Sequence, residues 1–414
     1  MLAPRTVEVA VDEIGVRGDG VAMWQGRRLF VPFALPGERV TAEIVAESGD
    51  GVQARLLDVQ SPAADRVAPA CRHFGDCGGC TLQHLAPPAA AAWKRGRILA
   101  ALGQRGVAAT AEETVAIAPG SRRRAVFAYR MAGRTAVLGF NARASGRIVD
   151  QAECPLLDPR LAGLVAPLRT LLADVGAGGP GGDVAVTLTD AGADVVIDLP
   201  AAPDLGRFER LGAFGRERGL ARLSWRCGGR TEPVATFREP VLTIGGATVT
   251  LPPGAFLQAS AGGEAAIARV VESAVGAAFP VADLFCGVGT FALRLAARGA
   301  VHAIDGDAGL IAALERTRRV ATAVRDLFRS PLAGDELGRF AAVVFDPPRA
   351  GARAQAEALA AGGPATVVAV SCNPATFARD ALILTDGGYR LERLVPIDQF
   401  PWSAHVELVA VFHR

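Results

Sequence analysis

A chain of 414 residues, half of them apolar, can hold two or three domains with cores of their own. Its formal charge of +2 is nearly neutral and says little about partners. No run of about 18 uncharged apolar residues occurs, which excludes a membrane-spanning helix, and the early charges of Met1–Val11 leave no apolar stretch for a signal peptide, so the expectation is a soluble, cytoplasmic, monomeric protein.

In chain order, residues 1–60 read as short strands: the alternating Val7–Val11, then Arg28–Pro32, Val40–Val45 and Ala54–Val59, punctuated by Gly15, Gly18 and Gly20. Such spacing predicts a small OB-like β-barrel, a fold that often meets RNA but does not by itself license a function. Residues 61–250 form a mixed central region. It opens with Cys71, Cys77 and Cys80, three of the seven cysteines. In a reducing compartment such crowding binds metal more often than it forms disulfides. Pro87 and Pro88 stand where a helix would start, and Ala89–Leu102 continues it; residues 85–105 are expected to pack on the C-terminal domain. Residues 121–250 are strand-rich, with a loop at Gly176–Gly182. Arg122, Arg123, Arg124 and Arg130, with Arg143 and Arg147, make the densest basic stretch, readable as a phosphate-contacting surface or as a solvated face. Lys94 is the only lysine. Arginine suits bidentate phosphate contacts, but coding composition in an Ala- and Gly-rich chain gives the same bias.

Residues 251–414 change character. Apolar runs at Val281–Phe285, Val301–Ile304, Ala342–Phe345, Thr366–Val370 and Val406–Phe412 alternate with helical segments, the pattern of a Rossmann-like α/β domain with a parallel sheet. Asp283-Leu284-Phe285-Cys286-Gly287-Val288-Gly289 ends a strand and opens a helix, and Asp305 closes the next strand. Glycines there let a ligand approach the helix N-terminus, and the acid can accept from ribose hydroxyls. The loose Gly287-x-Gly289-x-x-Ala292 fits either a methyl donor or a dinucleotide. Asp346-Pro347-Pro348-Arg349 and Ser371-Cys372-Asn373-Pro374 each follow an apolar strand, where open α/β sheets place their ligands. A thiolate at Cys372 would be a nucleophile; a free cysteine is otherwise a small buried hydrophobe.

Taken together these blocks, with Phe400-Pro401-Trp402-Ser403-Ala404-His405-Val406-Glu407, resemble the RNA uracil-5-methyltransferase family, which makes 5-methyluridine. The resemblance extends over the whole chain. It implies a class I S-adenosylmethionine-dependent methyltransferase domain and, through Phe30-Val31-Pro32 and Pro36-Gly37-Glu38-Arg39-Val40, a TRAM-type barrel. Cys71, Cys77, Cys80 and Cys154 fall at the positions of the family's 4Fe–4S ligands. Spacing alone leaves iron–sulfur and tetrahedral zinc open; the resemblance implies the cluster. A barrel plus a cluster is similar to the ribosomal RNA branch, so the expected substrate is 23S ribosomal RNA, with transfer RNA as the alternative.

The resemblance assigns Cys372 as nucleophile at carbon 6 of uracil and Glu407 as the base that removes the carbon 5 proton. It gives Gln258, Phe285, Gly287, Asp305 and Asp346 to the methyl donor and its junction with the base. A related amine-methylating group follows Asp-Pro-Pro with an aromatic; Arg349 stands there instead. Departures fall on the donor side: Ala259-Ser260 follow Gln258, Asp305 replaces the usual glutamate, and an arginine-rich stretch, Arg316–Arg325, replaces an asparagine-rich helix. Arg349 and Arg379 are the candidate cations near Cys372. Cys227 and Cys286 match no ligand position. Two other classes stand beside this expectation, a non-catalytic iron–sulfur RNA-binding protein and an NAD-dependent oxidoreductase.

Overall fold

The computed structural model describes residues 5–49, 51–175 and 181–414. Six strands, Arg5–Ala10, Glu13–Ile14, Gly20–Trp24, Arg27–Val31, Arg39–Ser48 and Gly51–Ser61, make one N-terminal sheet. Alternation sends Val9, Ala22, Leu29, Val31, Val40 and Val52 into a small core of their own. Glu13–Ile14 and Gly20–Trp24 lie inside the glycine-punctuated stretch that reads as turns.

The central region carries a second sheet in the order Ile148–Asp150, Thr135–Asn141, Arg124–Ala132, Gly182–Thr189, Gly192–Asp198, Arg222–Cys227 and Arg230–Thr236. Helices Val165–Val175 and Leu205–Glu217 pack on it through Leu168, Leu172, Leu211 and Phe214. Of the loop expected at Gly176–Gly182, residues 176–180 lie outside the described residues, and Gly182 already opens a strand.

The third sheet has eight strands in the order Ala321–Val324, Val301–Asp305, Val281–Leu284, Ala342–Phe345, Thr366–Ser371, Glu407–His413, Arg390–Asp398 and Val115–Ala116. Val281–Leu284, Ala342–Phe345 and Thr366–Ser371 are buried along their whole length, as parallel strands between two helix layers must be. The expectation of an all-parallel sheet needs one correction. Glu407–His413 runs antiparallel to both neighbours. The chain leaves Asp398 and returns within a short loop, and such a loop can only join antiparallel strands.

The helix Pro87–Gly103 starts on the two prolines and packs against the helix Pro374–Asp386, burying Ile98 and Leu102 among Phe377, Ala381 and Leu384. It also carries the one lysine. Lys94 is fully buried, and its Nζ donates to Asp398 Oδ1 at 2.6 Å and to the Phe400 carbonyl at 2.9 Å. Burial pulls the Lys94 pKa down, and Asp398 opposes that. A buried ammonium persists because it is paired. Lys94→Met leaves the Asp398 carboxylate without its cation and is expected to destabilise the fold by about 3–5 kcal/mol in denaturant unfolding. Lys94→Met combined with Asp398→Leu should regain most of that loss.

Candidate active site

The C-terminal ends of the parallel strands deliver the glycine loop Phe285–Gly289 (the donor loop that the resemblance implies), Asp305, Asp346 and Cys372 to one edge of the third sheet. The reversed strand adds to them. Ser371 pairs with Leu408, so Glu407, the first residue of its strand, comes to the same edge as Cys372. All of these line one cavity of about 1100 Å³.

On its donor side, Gly287 takes a φ of +56°, a region that favours glycine, and its N–H donates to Asp305 Oδ2 at 2.9 Å. The other Asp305 oxygen accepts from the Asp307 N–H at 2.9 Å. Asp283 is buried beneath the loop and accepts from the Ala292 N–H at 2.7 Å; burial holds its pKa well above the carboxylate range. The rings of Phe285 and Phe328 meet with centroids 5.4 Å apart at the cavity wall. The Arg316–Arg325 stretch is a turn followed by the edge strand Ala321–Val324, and Asp326 and Phe328 beyond it reach the cavity.

At the opposite side, Cys372 sits between the strand Thr366–Ser371 and the helix Pro374–Asp386. Asn373 caps that helix, accepting from the Ala375 N–H at 3.2 Å and donating Nδ2 to the Arg349 carbonyl at 2.9 Å. The helix thus begins beside the thiol, with its partial positive charge there. Even so, burial pushes the Cys372 thiol up to about 11, Glu407 and Asp346 add to the rise, and Arg349 opposes it. Of the two candidate cations only Arg349 acts on the thiol: Arg379 pairs with Asp380 at 2.7 Å and donates to the Ala350 carbonyl. Burial raises Asp346 to about 7, with a hydrogen bond from Gln258 opposing. Burial and Asp346 raise Glu407 to about 8, with Gln399 opposing.

The four cysteines Cys71, Cys77, Cys80 and Cys154 are free, half-buried, and line the same cavity. As thiolates each would feel its neighbours, Cys80 the other three and Cys154 both Cys71 and Cys77. Gln83, itself buried, accepts from the Cys71 N–H at 3.0 Å and bonds Cys80. Among the described residues no three His, Cys, Asp or Glu side chains close on a single metal ion. Cys227 is half-buried against the central core, and Cys286 is buried in the donor loop.

The basic stretch does not form one face. Arg123 needs correcting as an RNA-contacting residue: it is 9% exposed, its Nη2 pairs with Glu264 and its Nε donates to the Gln258 carbonyl at 3.2 Å. Side chains of an extended chain alternate, so Arg122 and Arg124 point the other way, into the cavity wall. Arg122 lies within electrostatic reach of Cys80 and Cys154. The Arg124 guanidinium stands 4.3 Å from the ring centroid of Phe256, which is largely exposed. Arg130 is exposed and lies outside this cavity.

Sequence reasoning missed a set of residues behind the site. Gln399 Nε2 donates to Gln258 Oε1 at 2.6 Å, and Gln258 Nε2 donates to Asp346 Oδ2 at 3.1 Å. The loop carrying Gln399 is held at alternate carbonyls. Lys94 takes that of Phe400, the N–H groups of Thr81 and Leu82 take that of Trp402, and Arg97 takes that of Ala404. The solitary lysine in an arginine-rich chain was the one signal in the sequence.

Comparison with known proteins gives this edge a chemistry. Residues 311–414 match the family described as tRNA (Uracil-5-)-methyltransferase. A protein described as an uncharacterized RNA methyltransferase of Brucella suis is 44% identical over 100% of this chain and 99% of its own. The 23S rRNA (uracil(1939)-C(5))-methyltransferase RlmD of Aeromonas salmonicida is 32% identical over 99% of this chain and 97% of its own. Among solved structures, Pyrococcus abyssi tRNA (uracil-54, C5)-methyltransferase in complex with S-adenosyl-L-homocysteine superposes with a TM-score of 0.76, covering 98% of this chain and 100% of that one, at 23% identity. That last likeness concerns the fold; the whole-length relatives carry the assignment. A chain whose Rossmann-like sheet ends in this cysteine and these acids, and whose full length aligns with such enzymes, belongs to the RNA uracil-5-methyltransferase family and transfers methyl groups from S-adenosylmethionine to RNA.

Proposed function

We propose that the protein methylates carbon 5 of one uridine in 23S ribosomal RNA through a covalent bond between Cys372 and carbon 6. The observation that carries this reading is the shared position of Cys372, Asp346 and Glu407 in one cavity with the donor loop. The ribosomal substrate rests on the full-length relative named for 23S rRNA. S-adenosylmethionine would lie along Phe285, Gly287 and Asp305, with Gln258 and Asp346 at its junction with the pyrimidine. The Cys372 thiolate adds to carbon 6, and the displaced electron pair moves onto the ring as an enolate. Carbon 5 then attacks the donor methyl, and the methyl–sulfur bond breaks. Glu407 takes the carbon 5 proton, the carbon 5–carbon 6 double bond re-forms, and the thiolate leaves. A base within folded RNA has to be turned out of its stack to reach Cys372. Arg122 and Arg124 at the cavity wall, with the N-terminal TRAM-like sheet, are suited to hold the flanking strand.

Cys71, Cys77, Cys80 and Cys154 would hold a 4Fe–4S cluster. Four clustered, half-buried thiolates repel one another unless cationic metal sits among them. Four thiolates suit a cubane or tetrahedral zinc alike, and the resemblance favours the cubane. Its contribution would be to tie residues 71–80 to Cys154; the methyl transfer requires no electron. Anaerobically purified protein should contain iron and acid-labile sulfide, whereas colourless, zinc-loaded protein would contradict the cluster.

The acids predict a pH dependence. Glu407 must be ionised to accept a proton, and its pKa is raised to about 8. Turnover should therefore rise with pH through neutrality, with a first inflection up to about 8 belonging to Glu407 and Asp346 as a coupled pair and a continued rise above it as the Cys372 thiol, held up to about 11, ionises. Stability should run the other way. Both acids are raised in the fold, so their contribution is full below the unfolded carboxylate range and is lost as pH rises through about 7 to 8. Initial rates and thermal midpoints across this range check both slopes. The function itself is tested by mapping 5-methyluridine in ribosomal and transfer RNA with and without the gene. Loss of one 23S uridine methylation is expected; loss confined to transfer RNA would move the substrate, and no loss in either would end the proposal.

A further inference from the structure

Resting on that reading, we propose that Gln399 is a positioning residue for the reaction, fixing the amide of Gln258 and the carboxylate of Glu407 relative to the pyrimidine. Its own position is heavily constrained. Asp398, one residue earlier, is pinned by Lys94 at 2.6 Å and accepts from the Phe400 N–H at 3.1 Å. The first turn of the helix Ala261–Val275 closes over it, since a Cβ on Gly263 would stand 2.6 Å from Gln399 Oε1. Gln399 is 4% exposed and Gln258 8%.

The amide chain between two carboxylates has one polarity. In the ionised form that the reaction uses, a carboxylate only accepts, so in that state each end of the chain must donate to it. Ile397 pairs with Glu407 across the hairpin, so Gln399, two residues on, stands beside that carboxylate on the wall of the same cavity, where it lowers the Glu407 pKa, and its Nε2 donates to Gln258 Oε1 at 2.6 Å. With its oxygen occupied, Gln258 must turn its NH2 to Asp346, 3.1 Å away. One hydrogen of that NH2 is left for the cavity, beside an acceptor on Asp346. A donor next to an acceptor matches a carbonyl next to a ring N–H, as on uracil; cytosine presents an amino group next to a bare nitrogen and meets it donor to donor. Gln399 therefore serves two steps through other groups. It sets the polarity with which Gln258 meets the base, and it favours the ionised, proton-accepting form of Glu407 against the burial that raises its pKa. Asp346 and Cys372 are the ionisable groups coupled to Glu407, and Arg349, His405, Arg122 and Arg124 bring further charge to the same cavity.

The test compares wild type with Gln399→Leu and Gln399→Glu on an RNA fragment carrying the target uridine, and on the same fragment with cytidine there. For Gln399→Leu, kcat should fall by about 10- to 100-fold with the RNA KM within about threefold, the effect of one lost hydrogen bond to a charged group. The acid limb of its pH–rate profile should move up by about one pH unit, because the ionised Glu407 has lost a donor. Preference for uridine over cytidine in forming the denaturant-stable protein–RNA complex should drop by about tenfold. Gln399→Glu, which places an acceptor against Gln258 Oε1, should be at least as impaired. If Gln399→Leu does not fold, Gln399→Met, nearly equal in volume, carries the same measurements. An unshifted acid limb with kcat within twofold of wild type overturns the proposal. A wild type that methylates no RNA uridine removes the proposed function and this role together; an active wild type beside an unchanged variant removes this role alone.

Discussion

Cys372→Ala is expected to lower uridine methylation by about 10⁴-fold or more, because the remaining groups position donor and base but cannot open the pyrimidine ring to attack. Carbon 5 of uracil is a weak nucleophile until carbon 6 carries a sulfur. No other thiol lies beside Glu407 and Asp346: Cys286 is buried within the glycine loop, Cys227 packs on the central core, and Cys71, Cys77, Cys80 and Cys154 form a group of their own on the cavity wall. The variant should still bind S-adenosylmethionine, since the proposed donor residues Phe285, Gly287 and Asp305 lie at or just beyond the ends of two other strands. Single-turnover transfer of a labelled methyl, read beside equilibrium binding of the donor, separates lost chemistry from lost binding. Methylation within tenfold of wild type would remove Cys372 from the mechanism.

Glu407→Gln is expected to stop the reaction one step later. Addition and methyl transfer need no base at carbon 5, so the variant should methylate once and then hold its product. Multiple turnover should fall by about 10²–10⁴-fold, while an RNA–protein complex that survives denaturing electrophoresis accumulates to about one per enzyme and disappears in the Cys372→Ala background. A second effect follows from charge. Glu407 is one of the groups that push the Cys372 thiol up to about 11. Replacing it by a neutral amide lowers that value, so Cys372 should be alkylated faster in Glu407→Gln than in wild type at the same pH. Fast release of methylated RNA by the variant would move the base elsewhere.

What could be read from the sequence follows from what leaves a one-dimensional trace. The buried run Thr366–Ser371 is apolar between its two hydroxyl-bearing ends, so the strand end and the cysteine beyond it were plain. The glycine loop and Asp305 announced themselves in the same way. The direction of the last strand did not. The strand Arg390–Asp398 begins as Arg-Leu-Glu-Arg, half of it solvent-facing, and its apolar stretch comes only later. Without it, nothing shows that Glu407 starts a reversed strand beside Cys372. Arg123 looked like its neighbours because a charge run hides the alternation of an extended chain. Gln258 and Gln399 stand 141 positions apart, and Lys94 and Asp398 stand 304 apart. Amide pairs and single ion pairs carry no periodicity, so only the fold could join them.

The alternate-carbonyl grip on the loop 400–404 bears on how this enzyme can be cut apart. A fragment made of residues 251–414 would keep the donor loop, Cys372 and Glu407, and on paper looks like a minimal catalyst. It would lose the strand Val115–Ala116, which covers the edge of Arg390–Asp398. It would also lose the helix Pro87–Gly103 from the apolar face of Pro374–Asp386. A bare strand edge beside an uncovered apolar helix is a template for self-association. Such a fragment should precipitate or form oligomers, and any soluble remainder should carry its base on an untethered hairpin. Coexpressing residues 61–120 in trans is then the natural route to a soluble, dissectible form.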